Sequence, residues 1–185
     1  AFSVFRKKTE RESEVRPQLP TPDAIRVPAE MATGAFPNLT ELGYSDSEAA
    51  EAEHLAIPGG EAAALTCMGR FLHDLSVVDD AALSPYIALG ALSPNTLYHA
   101  TREAEQADPA NKRYEQLILK LMWRDYYRFM FKKHGNRFFH ATGLTGVQQT
   151  IPPDEDARFE RWKTAHTGQP VVDRIMRDMN RTGYV

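Results

Sequence analysis

Between Lys112 and Gly135 lies the stretch that most restricts how this chain can fold. Tyr114, Leu117, Ile118, Leu121, Met122, Trp123, Tyr126, Phe129 and Met130 recur at helical spacing and cover more than half of a helix circumference. A helix apolar on so many sides belongs in a core, packed against other helices. Its one cationic line, Lys120, Arg124, Arg128 and Lys132, repeats at every fourth position and forms a single ridge. Residues 112–137 carry eight Lys or Arg against two acids. Such a ridge beside an aromatic residue fits a solvated helix face, a phosphate ligand or an acidic protein partner.

Turn and cap residues place the other helices. Gly59-Gly60 precedes a segment from Glu61 to about Leu75 with Leu65, Met68, Leu72 and Leu75 at helical spacing. Ser84-Pro85, Ser93-Pro94 and Asp108-Pro109 each offer a capping residue followed by proline, which predicts helix starts at all three. The last of these leads into the long helix, and Gly135 stops it. Pro152-Pro153-Asp154 announces a helix with Phe159 and Trp162. Thr167-Gly168-Gln169-Pro170 precedes another with Val171, Val172, Ile175, Met176 and Met179, ended by Gly183. No alternating apolar run is bounded by hairpin turns, so the expected fold is all-α.

Residues 1–58 read differently. Periodicity is weak and prolines are frequent (Pro17, Pro20, Pro22, Pro28, Pro37, Pro58), which predicts an extended arm with few regular turns. Such an arm is ordered only by lying on a surface, its own domain's or a partner's. The expected organisation is therefore an arm over 1–58 and a helical domain over 59–185.

Charge is unevenly distributed. The formal net charge is −3, yet residues 30–80 sum to −9, while 1–29 sum to +2 and 81–185 to +4. This argues against a broad nucleic-acid footprint and suits docking between oppositely charged surfaces. The single cysteine, Cys67, sits among alanines and reads as an inert packed thiol. Histidines 54, 73, 99, 134, 140 and 166 share no short spacing, so no metal site is expected. No run of apolar residues is long enough for a membrane span.

Several segments in order resemble the flavin-binding helical domain of the photolyase and cryptochrome superfamily, DASH-type cryptochromes above all. They are Phe5-Arg6-Lys7, Gly59 to Leu65, Leu83 to Pro94, Leu121 to Phe129, and Phe159 through Trp162 to Arg177. The resemblance covers essentially the whole chain and implies the first half of a helical bundle that elsewhere holds FAD and repairs DNA photolesions. It makes Ser84 a flavin contact, Trp123 a lesion-stacking residue, and Arg124 a pocket residue. It also suits an organellar location, with Ala1 at the start of a processed precursor or a trimmed chain.

The same resemblance exposes departures. Where the family places a Thr-Ser pair on the FAD pyrophosphate, this chain has Asp80-Ala81-Ala82 before Leu83. A carboxylate about 4 Å from a phosphate costs about 4 kcal/mol at an effective dielectric near 20. The interval before Leu83 is too short for a Tyr and an Arg of the family pattern, and a lesion-contacting Glu is replaced by Lys120. Near Pro152, where a relay tryptophan is expected, stand Gln148, Gln149, Thr150 and Ile151. The segments that close the pocket in the family would follow Val185.

No residue is therefore assigned a catalytic role, and no cofactor is expected. Ser84, Trp123 and Arg124 are read as a vestigial cofactor site. Lys120, Arg124, Arg128 and Lys132 are read as contacts to an acidic partner in a larger assembly. Two alternatives stay open: an excerpt of a DASH-like FAD enzyme acting on single-stranded DNA lesions, and a flavin-free nucleic-acid binder. Trp123 and Trp162 are read as packing residues, Ser84 equally as an N-cap, and Glu61 and Asp173 as capping or structurally paired carboxylates.

Overall fold

The computed structural model describes residues 1–32, 34–52, 57–74, 79–148, 150 and 153–184. Leu75, His54, Gln149, Ile151 and Pro152, named above, lie outside these. Among the described residues there are eight α-helices and no strand: α1 (Phe2–Glu12), α2 (Asp46–Ala52), α3 (Glu61–His73), α4 (Ser84–Ala88), α5 (Pro94–Ala107), α6 (Lys112–His134), α7 (Glu155–Lys163) and α8 (Pro170–Thr182). Short 3-10 turns span Asp80–Leu83 and Gly135–Phe139. The all-α expectation holds.

The chain forms two compact units. The first joins Ala1–Thr33 to Pro58–Asn136, and the second joins Gly34–Ile57 to Arg137–Val185.

In the first unit, α5 lies against both α3 and α6. Its stripe Leu97, Thr101 and Ala104 is buried at helical spacing, and the Thr101 hydroxyl is satisfied by donating to the Leu97 carbonyl at 2.6 Å. Across from it, α6 buries Tyr114, Leu117, Ile118 and Leu121. The Tyr114 hydroxyl donates to the Leu72 carbonyl at 2.8 Å, tying α6 to the end of α3.

Three sequence expectations shift in register. On α3 the buried residues are Ala64, Phe71 and Leu72, while Leu65 is 42% exposed. The small Ala64 side chain sits at 0% exposure, which suits a close crossing better than a leucine does. The long helix starts at Lys112 rather than at Pro109. Asn111 is its cap, its side-chain oxygen accepting from the Arg113 amide at 3.2 Å, and Asp108 instead ends α5. Ser84 is not an N-cap either: the 3-10 turn Asp80–Leu83 runs straight into α4, so the capping residue of α4 is Leu83.

The expectation of few regular turns in residues 1–58 meets two helices. In α1, Phe2 and Phe5 fall one turn apart and dock on α6, and Arg6 pairs with Glu10 at 2.8 Å, a hydrogen bond that raises the arginine's affinity for its proton. In the second unit, α2 is begun by Ser45. Its amide and hydroxyl both donate to the Glu48 carboxylate at 2.8 and 2.7 Å, while the Glu48 amide donates back at 3.3 Å. This is a reciprocal capping box, and those bonds hold the Glu48 carboxyl below its usual range.

Between Ser13 and Ala32 the arm has no helix and stays exposed. It is fastened at Arg16, whose carbonyl accepts from Asn95 Nδ2 at 2.7 Å and from His99 Nε2 at 2.8 Å, both on α5.

The second unit also pairs α7 with α8. Asp154 stands at the N-cap position of α7 and binds Arg158 at 2.7 Å; Asn180 Nδ2 of α8 donates to the Lys163 carbonyl at 2.8 Å. Among its described residues the buried ones are Ala165 and Met176. Phe159, Trp162, Val171, Ile175 and Met179 are exposed.

Candidate functional site

The sequence-predicted residues gather on the first unit, around the Asp80–Leu83 turn and α6. Asp79 precedes the turn in extended conformation, and its side chain accepts from the Ala81 amide at 3.1 Å. The backbone amide of Ala81 is the largest influence on the Asp79 carboxyl and holds it below its ordinary range. Asp80 is paired in turn: Lys120 Nζ of α6 donates to Asp80 Oδ1 at 2.7 Å. The Asp80 side chain is 14% exposed and that of Lys120 63%.

This pairing alters one reading of the sequence. Asp80 and Lys120 are two separate departures from the family pattern when read along the chain. In space they are one ion pair, and the ammonium offsets much of the repulsion expected between Asp80 and a phosphate.

Cys67 lies under the same turn, with Sγ 3.8 Å from the Ala82 carbonyl. Partial burial pushes its thiol up, against a smaller opposing influence of Arg70, in keeping with an inert thiol. Ser84 is exposed, in the first turn of α4.

The cationic ridge is not uniform. Lys120 is held by Asp80, and Arg124 donates to the carboxylate of its neighbour Asp125 at 2.8 Å, with its own side chain 30% exposed. Arg128 and Lys132 are exposed. The apolar surround of α6 also changes along its length. Beyond Leu121 the helix is only partly covered: Trp123 and Tyr126 are half-buried, whereas Tyr127 is 58% and Phe129 60% exposed. The expectation that only the ridge lies outside does not hold: Glu115 and Gln116 are exposed in the first half as well, and the buried apolar residues of α6 are Tyr114, Leu117, Ile118 and Leu121.

Trp123 has a specific neighbour that the sequence reading missed. The Phe2 ring of α1 stacks on it with centroids 3.5 Å apart and planes 10° from parallel. Tyr127 stacks at 5.5 Å, and Tyr126 meets it edge-on at 5.7 Å. Phe5 extends the cluster to Tyr126 and Phe129 at 5.5 and 6.0 Å. The Phe-x-x-Phe spacing of residues 2–5 was the available signal.

Of the two carboxylates read as caps, Asp173 shows how such a role is built. In the second unit it reaches back over the start of α8, accepting from the Thr167 hydroxyl at 2.6 Å and from the amides of Thr167 and Gly168 at 2.8 and 3.1 Å. These bonds, the hydroxyl foremost, lower its affinity for a proton against a smaller effect of desolvation. Its contribution is fully present above the ordinary aspartate range near pH 4 and is lost as pH falls through the lowered folded value. An Asp173→Asn variant should lose part of the acid-dependent destabilisation of α7 and α8 that the parent shows below about pH 4. Helicity followed against pH by circular dichroism reads this; identical acid limbs would contradict it.

Among the described residues no group of three or more His, Cys, Asp or Glu is placed to hold a metal. Nor is any helix among them long and apolar enough to cross a membrane.

Comparison with known proteins places this arrangement. The family described as the FAD binding domain of DNA photolyase matches residues 117–185. The protein named Cryptochrome DASH from Gloeobacter violaceus is 33% identical over 199 residues, covering all of this chain and 39% of that protein. Its namesake in Danio rerio is 32% identical over 200 residues, with 100% and 38% covered. The crystal structure of the Synechocystis sp. PCC6803 cryptochrome superposes with a TM-score of 0.70 at 29% identity, over all of this chain and 41% of that one. The chain thus spans about two-fifths of the length of these relatives. The chain is similar over its whole length to part of the helical portion of DASH-type cryptochromes, in the photolyase/cryptochrome fold.

Proposed function

We propose that this segment of a DASH-type helical domain retains no flavin of its own and acts as a structural or binding element of a larger assembly. One observation carries the reading: the turn before Leu83 is closed on itself by acids. The Ala81 amide, which the resemblance would turn toward a pyrophosphate, is engaged by Asp79, and the one ammonium at the turn, Lys120, is engaged by Asp80. An entering phosphate must displace Asp79 from the Ala81 amide and compete with Asp80 for Lys120. These residues do not fit the group. No photochemical step is derived from them.

A micromolar ligand has only about 8 kcal/mol of binding free energy, so losing a few charge-assisted hydrogen bonds is enough to remove it. Titration of the protein with FAD, followed by flavin fluorescence, should show no saturation below about 1 mM. The variant Asp79→Ala/Asp80→Thr/Ala81→Ser, which restores neutral donors at the turn, should bind more tightly than the parent. Saturation of the parent at micromolar FAD would overturn the reading.

The contacting surface in this proposal is the exposed end of the α6 ridge, Arg128 and Lys132, against an acidic protein face. A second reading, a flavin-dependent DASH-like enzyme on single-stranded DNA, is favoured by the match of the FAD-binding family to residues 117–185. Nucleic-acid binding in either form requires oligonucleotide affinity that falls steeply with salt, and affinity flat in salt would exclude it. The organellar location expected from the resemblance draws on relatives from Oryza sativa and Ostreococcus tauri, whose names carry the words chloroplastic/mitochondrial. The Danio rerio and Gloeobacter violaceus names do not.

A further inference from the structure

The Phe2–Trp123 stack joins two parts of the first unit that are otherwise weakly connected. No residue of α1 is buried. What fastens it to α6 is a set of ring contacts, Phe2 on Trp123 and Tyr126, and Phe5 on Tyr126 and Phe129. On the other side of α1 the chain continues as an exposed arm whose fixed point is the Arg16 carbonyl, gripped by Asn95 and His99. Below the rings, by contrast, Leu117, Ile118 and Leu121 are buried against the core formed with α5 and α3.

We propose that α1 is a detachable strap, a helix docked by Phe2 and Phe5 in the aromatic trough of α6, which opens and closes while α3, α5 and the first half of α6 stay folded. Stability within a folded unit follows buried apolar contact, and α1 has the least of it in this unit. Opening breaks no buried hydrogen bond, because the two ion pairs inside α1, Arg6–Glu10 and Lys8–Glu12, are local and travel with the helix. The Arg16 carbonyl, held by Asn95 and His99, is the fixed point that follows the strap along the chain. In the closed state the strap covers one face of Trp123; in the open state it bares that face together with Tyr126. The inference is independent of whether flavin binds, since it concerns only α1 and α6.

The chain has two tryptophans, so Trp162→Phe leaves Trp123 as the sole reporter. In that background, Phe2→Ala/Phe5→Ala should shift Trp123 emission to the red and raise its quenching by iodide several-fold, while the core keeps a single cooperative thermal transition. In the Trp162→Phe parent, backbone amides of residues 6–12 should exchange with deuterium about 100-fold or more faster than those of 117–121. Equal protection of the two helices, unchanged emission in the double variant, or collapse of the core on removing the two rings would each show that α1 is an integral part of the core and would overturn the proposal.

Discussion

Replacing Phe71 by alanine should lower the stability of the first unit by about 3–5 kcal/mol. Phe71 is 1% exposed, on α3, a helix that packs against α5. The Arg113 guanidinium of α6 lies 4.7 Å from its ring centroid, so truncation removes a cation–π contact together with the buried ring. The cavity would open beside the Tyr114 hydroxyl and the Leu72 carbonyl, the hydrogen bond that ties α6 to α3. Small domains have about 5–15 kcal/mol in total, so the variant should be marginally folded at 25 °C. Urea denaturation followed by circular dichroism measures this. Leu65→Ala, on the same helix but exposed, is the control and should cost less than about 1 kcal/mol. Equal effects at the two positions would mean that the register of α3 described above is wrong.

Reversing Lys120 to glutamate should cost about 2 kcal/mol, because a half-buried carboxylate loses its ammonium and gains a like charge. Asp80 is the more enclosed partner of the pair, so it suffers most from the loss. The combined exchange Asp80→Lys/Lys120→Glu should recover more than half of that loss, and the coupling should shrink in about 0.5 M salt. Additive single-variant effects, with no recovery in the swap, would show that the two side chains do not act as a pair and would remove the argument that they form a single unit at the turn.

Much of the fold was legible because its signals are local. The apolar run from Tyr114 to Met130 and the stops at Gly135 and Gly183 depend on spacing and backbone freedom; both glycines take positive φ, 55° and 70°, where a side chain is strained. Pro94 and Pro170 likewise stand at the first turns of α5 and α8. Asp108-Pro109 misled because a cap is decided by competition: Asn111 offers its side chain one turn later, and Asp108 serves the end of α5 instead. The capping box at Ser45-Asp46-Ser47-Glu48 was present in the letters but hidden by the proline-rich composition around it.

The candidate site was less legible, for a different reason. Its residues could be named from a resemblance, but their partners are distant in sequence. Nothing in the letters brings Asp80 to Lys120 or lays Phe2 on Trp123; those contacts require the packing of α1 and the 3-10 turn against α6. The same holds for the ridge. Its i, i+4 spacing is a property of the helix, but which of its four cations are engaged by a carboxylate depends on Asp80 and Asp125.

The account depends most on a turn that satisfies its own charges and leaves no place for a phosphate. The direct measurement is the flavin content of the protein purified after expression with added riboflavin, read from visible absorbance before denaturation and from released FAD after it. The account predicts a colourless protein with FAD far below one per chain. A yellow protein that releases about one FAD per chain would contradict it, and would mean that Asp79 and Asp80 yield their partners to the pyrophosphate.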